Sequence, residues 1–258
     1  MHRFFVSPDQ IKGNLAIITG EDVNHIKHVL RLKEKDKITI LDGQSRQFDG
    51  EIISINSNQV ELTVSPCHLT GSTEFAEVLD PEPTVKITLA QALPKEKKMD
   101  LIIKSCIELG VFQIIPMITE RTVIKLDSRK AESKVERWQK IAKEAAQQSG
   151  RLIIPKIKQI ASFDEVLRLK NYALKLFPWE LEERTTLKDV LNAEGKGSSL
   201  AEAKILILIG PEGGFSAAEA EKAVKAEFQS VSLGKRILRT ETAGAAMLAM
   251  INYELEAY

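Results

Sequence analysis

One stretch, ILILIGPEGGFSAAEAEKAV, constrains the fold of this chain more than any other. The apolar run from Ile205 to Ile209 predicts a buried strand, which leads into a glycine-rich turn at residues 210–214. A helix is predicted to begin at Ser216, because Ser216 and Glu219 have the spacing of a capping box. Ligands of parallel α/β sheets bind at the carboxyl ends of strands, and glycines let the backbone approach them. The stretch therefore predicts either a ligand-binding loop or a tight strand–helix connection.

The spacing of these glycines is neither GxGxxG nor GxxxxGKS, so it predicts neither a dinucleotide nor a nucleoside triphosphate. Upstream, apolar strand-like runs (VKITLAQAL, VFQIIPMI, YALKLF) alternate with helical patterns. Helices are predicted from Lys97 to Gly110, over residues 128–148, and after Ser162, which forms a second capping box with Glu165. Alternating strands and helices with fully apolar strands indicate a parallel sheet covered on both faces.

The first 70 residues follow a different pattern. Short strand-like runs (RFFV, LAIIT, KITILD, EIISI, QVELTV) surround one helical patch, EDVNHIKHVLRL, and the NSN at 56–58 predicts a hairpin turn. This indicates a small β-rich domain, a compact barrel, at residues 1–70. Residues 71–84 contain two prolines and no basic residue, which is typical of a linker. An α/β domain is predicted for residues 85–258.

Composition excludes several classes of protein. The chain has 36 basic and 36 acidic residues and is 43% hydrophobic, so it has enough apolar residues for a core. Two separated cysteines and four scattered histidines argue against a disulfide framework and against a metal site. The sequence has no membrane-spanning run and no signal-peptide pattern at its start, which predicts a soluble, cytoplasmic protein.

The net charge of zero conceals a basic block. Residues 86–158 carry 16 basic and 8 acidic side chains, for a net charge of +8. Such a block is consistent with a polyanionic partner, although solvated helix faces rich in lysine would give the same count.

A second loop, LGKRILRTETA at residues 233–243, follows the strand-like run QSVSL. Gly234 would allow another close turn, and Arg236 and Arg239 have no obvious role in a core. The helix that follows is apolar nearly all round (AGAAMLAMI), so it should be buried in the core or against another subunit.

The pair GPEGGFS (210–216) and LGKRILRTETA (233–243) resembles the RsmE branch of the SPOUT superfamily of RNA methyltransferases. HIKHVLR at 25–31, KSCIELGV at 104–111 and EAAQQSGR at 144–151 agree with it, in the same order and over essentially the whole chain. Only PWE at 178–180 falls where members of the family vary. The resemblance implies an α/β domain with a C-terminal trefoil knot and an N-terminal PUA-like β-barrel that binds RNA. It also implies homodimers formed through the knotted domain.

The resemblance further implies the activity: methylation of uridine N3 in 16S ribosomal RNA of the small subunit, with S-adenosylmethionine as cofactor, S-adenosylhomocysteine as product and no metal. By position, the cofactor would be bound by residues of three loops: Leu176, Phe177, Gly210, Pro211, Glu212, Gly213, Gly214, Leu233, Gly234, Ile237, Leu238 and Thr240. The replacement Gly213→Val is expected to fill the space that this ligand needs.

Uracil N3 is a weak nucleophile while it holds its proton, so a base or an anion-stabilising group is needed. Arg239, Glu241 and Arg236 are the catalytic candidates, and Glu212 either serves as another or only fixes the loop. The candidates for RNA contacts are Arg3, Lys27, His28, Arg31, Lys95, Lys97, Lys98 and Arg151. Two alternatives stay open: a non-catalytic RNA-binding protein with the same scaffold, and an enzyme that modifies a transfer RNA or a ribose 2′-hydroxyl.

Overall fold

Two units make up the chain in the computed structural model, which describes residues 2–66, 82–95, 98–123, 127–195 and 203–255. The first unit comprises residues 1–82 together with 146–154, and the second comprises residues 83–145 and 155–258. Most of the predicted linker at 71–84 lies outside the described residues, as does Lys97.

A six-stranded sheet forms the first unit, in the order β1-β4-β5-β6-β3-β2. Strands β3, β5 and β6 alternate between buried and less buried side chains, as in β3 with the burial order exposed, buried, exposed, buried, exposed. Ile26, Ile38 and Leu62 are fully buried in its core. The NSN turn is confirmed, since the Asn56 N–H donates to Gln59 O at 2.9 Å. The strands are β1 (Arg3–Phe5), β2 (Ile11–Lys12), β3 (Leu15–Thr19), β4 (Lys37–Leu41), β5 (Gln47–Ile55) and β6 (Gln59–Pro66).

The helical patch of the first unit is shorter than the sequence predicts. Helix α1 (Glu21–Asn24) continues as a π-helical turn over His25–Val29, in which the Leu30 N–H donates to His25 O. Arg31 then has a φ of 54°, in the left-handed region, which ends the helix. Arg31 therefore does not share a helix face with Lys27 and His28, although all three side chains are exposed.

An all-parallel sheet forms the second unit, in the order β10-β8-β7-β12-β11-β13, with β9 added beside β8. The central strands β7 and β12 pair over six residues and are buried on both faces, as their apolar sequences predict. The strands are β7 (Lys86–Ala92), β8 (Gln113–Ile118), β9 (Lys156–Ile157), β10 (Ala161–Ser162), β11 (Leu174–Pro178), β12 (Lys204–Ile209) and β13 (Gln229–Val231).

Local sequence signals, two capping boxes and a glycine, mark the start or end of three helices of the second unit. Both predicted capping boxes are present, Ser162 with Glu165 and Ser216 with Glu219. Gly110, which follows α2, has a φ of 85°, a conformation suited to glycine at a helix end. Helix α3 includes residues assigned to both units. The helices are α2 (Lys98–Glu108), α3 (Ser128–Ser149), α4 (Phe163–Leu167), α5 (Leu187–Gly195), α6 (Ala217–Lys225) and α7 (Thr240–Leu255).

The last segment of the chain returns from the edge of the sheet to its centre. Strand β13 is the edge strand beside β11, yet α7 packs against α2, α5 and the central strands β7 and β12. Helix α7 is buried along one face, with Met247, Leu248 and Ile251 fully buried. This return crossing agrees with the knotted topology that the family resemblance implies, and departs from the usual avoidance of such crossings.

Candidate active site

A cavity of about 930 Å³ lies in the second unit, next to the carboxyl ends of β11, β12 and β13. This is the edge at which parallel α/β sheets bind ligands, and the volume is large for a small-molecule site. It brings together most of the predicted cofactor residues and all three catalytic candidates. Those that line it are Gly210, Pro211, Glu212, Gly214, Leu233, Gly234, Arg236, Ile237, Leu238, Arg239, Thr240 and Glu241.

The glycine loop at residues 210–214 folds back on itself. The Gly214 N–H donates to Pro211 O at 2.9 Å, and Gly214 has a φ of 65°. A side chain on Gly210 would bring its Cβ within 3.3 Å of the Gly214 carbonyl carbon. Glycine at both positions therefore allows the backbone to turn tightly and to line the cavity itself.

Three hydrogen bonds, together called the clamp, hold the outer side of this loop. They were not predicted from the sequence. Arg121 Nη1 donates to Gly213 O at 2.5 Å, and the Glu120 N–H donates to Glu219 Oε1 at 2.8 Å. Ser216 Oγ in turn donates to Glu120 Oε2 at 2.7 Å. These bonds fix the loop and the start of α6 to the segment that follows β8.

Gly213 faces this clamp and does not line the cavity. A Cβ on Gly213 would lie 3.4 Å from Arg121 Cδ. The expectation that Gly213→Val fills ligand space is thus corrected, because the added side chain would meet Arg121 instead.

Beneath the loop, a buried hydroxyl joins α7 to β7 and to the end of β12. Thr240 Oγ1 donates to Gly210 O at 2.6 Å and accepts from Gln91 Nε2 at 3.0 Å. Thr240 is 6% exposed and Gln91 is fully buried. Thr240 therefore holds the glycine loop at a fixed distance from the sheet. Its hydroxyl makes both of these hydrogen bonds within the protein.

The prediction that Leu176 and Phe177 bind the cofactor is also corrected. Both are fully buried on β11 and neither lines the cavity, because their side chains pack within the sheet layers. Phe177 lies edge-on to Phe215 at a ring distance of 6.2 Å and next to Trp179 at 6.3 Å. Trp179 does line the cavity, so Phe177 supports that wall from behind.

Three glutamates that follow β11 form an acidic wall of the cavity, which was also not predicted from the sequence. Glu180, Glu182 and Glu183 line the cavity, and the Glu180 carboxylate comes within 3.8 Å of where a Cβ on Gly214 would stand. The hydrogen bond from Ser230 Oγ, with those from two backbone N–H groups, holds the pKa of Glu182 below its usual 4.5. This wall begins at Glu180, the last residue of the PWE segment, for which the resemblance carries no residue roles.

Lys98, at the start of α2, lies between two carboxylates. Its Nζ is 3.2 Å from Glu212 Oε1 and 3.5 Å from Glu241 Oε2, and the Lys95 N–H donates to Glu212 Oε1 at 3.0 Å. The hydrogen bond to Glu212, aided by the charge of Glu241 and opposed by burial, raises the pKa of Lys98 above 10.5. The sequence predicts Lys98 as a candidate for an RNA contact. The structure supplies two protein carboxylates there, which corrects the assignment of Lys98 as an RNA contact.

Arg151, unlike Lys98, is almost fully buried. It is 4% exposed and forms an ion pair with Glu82, which also accepts the N–H groups of Leu152 and Ile153 at 2.8 and 3.0 Å. This burial corrects the prediction that Arg151 contacts RNA. Of the remaining RNA candidates, those on the surface are Arg3, Lys27, His28, Arg31 and Lys95.

The described part of the chain contains no candidate metal cluster and no candidate membrane-spanning helix. No group of three or more His, Cys, Asp or Glu side chains there could hold a metal ion. No helix among the same residues is long and apolar enough to span a membrane.

Comparison with known proteins gives a consistent result. Residues 80–252 match the family described as an RNA methyltransferase domain, and residues 18–65 match an RNA methyltransferase PUA domain. The ribosomal RNA small subunit methyltransferase E of Bacillus subtilis is 36% identical over 99% of this chain and 98% of its own length. That of Mesomycoplasma hyopneumoniae is 35% identical over 96% and 97%.

A similar solved structure supports the same family. The ribosomal RNA small subunit methyltransferase E from Neisseria gonorrhoeae, bound to S-adenosyl methionine, has a TM-score of 0.84 and 29% identity, over 98% of this chain and 97% of that one. This likeness, with the parallel sheet and the six-stranded N-terminal sheet, confirms the predicted fold class: a SPOUT α/β-knot domain with a PUA-like domain before it.

Proposed function

Because the chain belongs to the family of ribosomal RNA small subunit methyltransferases E, we propose that it transfers a methyl group from S-adenosylmethionine to N3 of a uridine in 16S ribosomal RNA. The observation that carries this proposal is the cavity at the carboxyl ends of β11, β12 and β13, walled by the glycine loop and the 233–241 loop. The relative from Neisseria gonorrhoeae, alike over nearly the whole chain, has S-adenosyl methionine bound.

The residues of the cavity fit this cofactor. A Cβ on Gly214 would stand on the cavity side of the loop, 3.8 Å from the Glu180 carboxylate, so glycine there leaves the backbone open to a ligand. Three carboxylates of the acidic wall, Glu180, Glu182 and Glu183, favour a ligand that carries positive charge. When bound, S-adenosylmethionine supplies an electrophilic methyl group on a sulfonium sulfur and leaves as S-adenosylhomocysteine.

The chain's own groups would activate the nitrogen. The Glu241 carboxylate lines the cavity and would accept the proton from uracil N3. Arg239 and Arg236 line the same cavity, and a guanidinium next to O2 or O4 would stabilise the negative charge that develops on the ring. Leu233 and Leu238 offer apolar contacts to a planar base and help to exclude water.

RNA binding is proposed for the first unit. Lys27, His28 and Arg31 are exposed on the π-helical turn and just beyond it, together with Val29, which is 70% exposed. Cations bind phosphates, and an exposed apolar side chain among them offers contact to a base or sugar. The match of residues 18–65 to an RNA methyltransferase PUA domain supports this role. A ribosomal RNA substrate would also place the reaction in the cytoplasm.

A homodimer through the knotted domain is part of the same proposal. Helix α7 exposes Met250 and Tyr253 to 43% and 79%, and its residues 243–251 are all apolar or glycine. Exposed apolar side chains of this kind support a subunit interface on this helix. Sedimentation of the purified protein tests this, because a monomer at micromolar concentration contradicts it.

Deletion of the gene, followed by mapping of methylated nucleotides in the small-subunit RNA, tests the function. We expect one uridine to lose its N3 methyl group and to regain it when the intact gene, but not an Arg239→Ala variant, is restored. Retention of every uridine N3 mark overturns the proposal. Loss of a transfer RNA or ribose methyl group instead identifies a different target, and failure of the purified protein to bind S-adenosylmethionine in calorimetry indicates a non-catalytic scaffold.

A further inference from the structure

Lys98 joins three segments that are distant in the sequence and meet at the cavity. It begins α2, Glu212 belongs to the glycine loop, and Glu241 lies in the first turn of α7. The Lys98 ammonium contacts both carboxylates, at 3.2 and 3.5 Å. All three side chains line the cavity. A single cation thus connects the loop proposed to hold the cofactor with the turn proposed to hold the base.

Glu241 depends on this cation more than Glu212 does. Its side chain is 13% exposed, and its Oε2 atom is inaccessible and accepts no hydrogen bond from any described residue. A buried carboxylate oxygen without a donor is destabilising unless an opposite charge lies close to it. Lys98 supplies that charge at 3.5 Å.

Glu212 has further donors that keep it in place. Burial alone would raise the pKa of Glu212, but hydrogen bonds from its own N–H, the Lys95 N–H and Lys98 outweigh burial and hold the pKa below 4.5. Glu212 is therefore a fixed anchor to which Lys98 is attached, while Glu241 is the partner that Lys98 positions.

We infer that Lys98 is a positioning residue for the proposed methyl transfer, and that it acts by fixing the Glu241 carboxylate and the spacing between the glycine loop and the first turn of α7. This inference rests on the proposed function, in which Glu241 accepts the N3 proton. Lys98 itself need not contact the reacting atoms, and an RNA phosphate is not its partner because two carboxylates of the chain already neutralise it.

Three variants separate this role from the alternatives. Lys98→Met removes the charge and keeps most of the side chain, and Lys98→Arg keeps a cation. Lys104→Met is the matched control, because Lys104 is an exposed lysine on the same helix and does not line the cavity.

Amide hydrogen exchange is the readout that does not depend on activity. We expect Lys98→Met to speed amide exchange in peptides covering residues 208–216 and residues 233–243, since both segments lose their ion pair with Lys98. Lys98→Arg and Lys104→Met should leave both peptides close to the parent. If Lys98→Met changes neither peptide, or only the start of α2, the inference is overturned.

Kinetics give the second readout. In single-turnover assays at saturating RNA, Lys98→Met should lower the rate of methyl transfer by about tenfold or more, because one charge-assisted contact contributes on that scale. Lys98→Arg should recover most of the rate. An unchanged rate with a higher KM for RNA and a smaller salt dependence would instead make Lys98 a phosphate contact and contradict the inference.

The two failures can be told apart. If the parent protein methylates no ribosomal RNA, the proposed function fails, and hydrogen exchange still reports whether Lys98 ties the two loops. If the parent is active and Lys98→Met matches it in both readouts, only the role of Lys98 fails.

Discussion

The buried hydroxyl of Thr240 provides the most direct test of how the site is built. Thr240→Val keeps the shape of the side chain and removes two hydrogen bonds, one to Gly210 O and one from Gln91 Nε2. Gln91 Nε2 retains its bond to Ala92 O at 3.1 Å, so the main loss falls on the Gly210 carbonyl. A net hydrogen bond contributes about 1 kcal/mol and a carbonyl left unsatisfied costs about 1–3 kcal/mol.

We therefore expect Thr240→Val to lower the free energy of unfolding by about 2 kcal/mol. For a unit of this size, such a loss corresponds to a fall in melting temperature of about 6 °C. Thermal unfolding followed by circular dichroism measures it. Affinity for S-adenosylmethionine, measured by calorimetry, should fall by about threefold to tenfold, because binding must then order a loop that the hydroxyl no longer holds.

Thr242→Val is the matched control for this prediction. Thr242 lies in the same turn of α7 but is exposed, so the same chemical change there should alter stability by less than about 0.5 kcal/mol. If Thr240→Val is no less stable than Thr242→Val and binds the cofactor equally well, then the hydroxyl does not hold the loop.

Three further predictions follow from particular contacts. Gly210→Ala should weaken cofactor binding about tenfold in calorimetry, since its Cβ would lie 3.3 Å from the Gly214 carbonyl carbon and push that backbone into the cavity; unchanged affinity would show that the loop can yield. Glu82→Gln should cost about 3 kcal/mol in urea unfolding, because it removes the charge of a carboxylate that pairs with the buried Arg151 guanidinium, whereas Glu34→Gln, on the surface, should cost little. Arg31→Gly should raise stability by about 1 kcal/mol, because a φ of 54° suits glycine, yet it should weaken RNA binding in filter assays at low salt; equal RNA affinity would remove Arg31 from the interface.

Local signals account for the parts of the fold and site that the sequence predicts. The capping boxes at Ser162 and Ser216, the glycine turn after β12 and the apolar central strands each depend on residues a few positions apart. A comparable local signal lies at the start of α5. Thr186 Oγ1 accepts the Asp189 N–H at 3.1 Å, and the Thr186 N–H donates to Asp189 Oδ2 at 3.0 Å, which is again a capping box.

Contacts between distant residues account for what the sequence does not predict. The Arg121 bond to Gly213 spans 92 positions, and the Lys95 bond to Glu212 spans 117. No periodicity or spacing rule relates residues so far apart, because the sheet order and the return of α7 bring them together. The early end of the helix at Val29 has a different cause. The π-helical turn and the left-handed Arg31 form within a stretch whose apolar spacing is helical throughout.

The positive charge of the chain shows why a count of charged residues along the sequence does not give the charge of the protein surface. The basic block at residues 86–158 suggested that RNA binds near Lys98 and Arg151. The structure pairs both of these cations with carboxylates of the same chain, and Arg151 is buried. Charge that is neutralised inside the protein releases no counterions from a nucleic acid, so it contributes little to affinity or to its salt dependence. The exposed cations at residues 27–37 of the first unit have no such partner among the ion pairs of the described residues. This short segment has five basic and two acidic residues, for a net charge of +3, and is therefore the stronger candidate for the phosphate contacts.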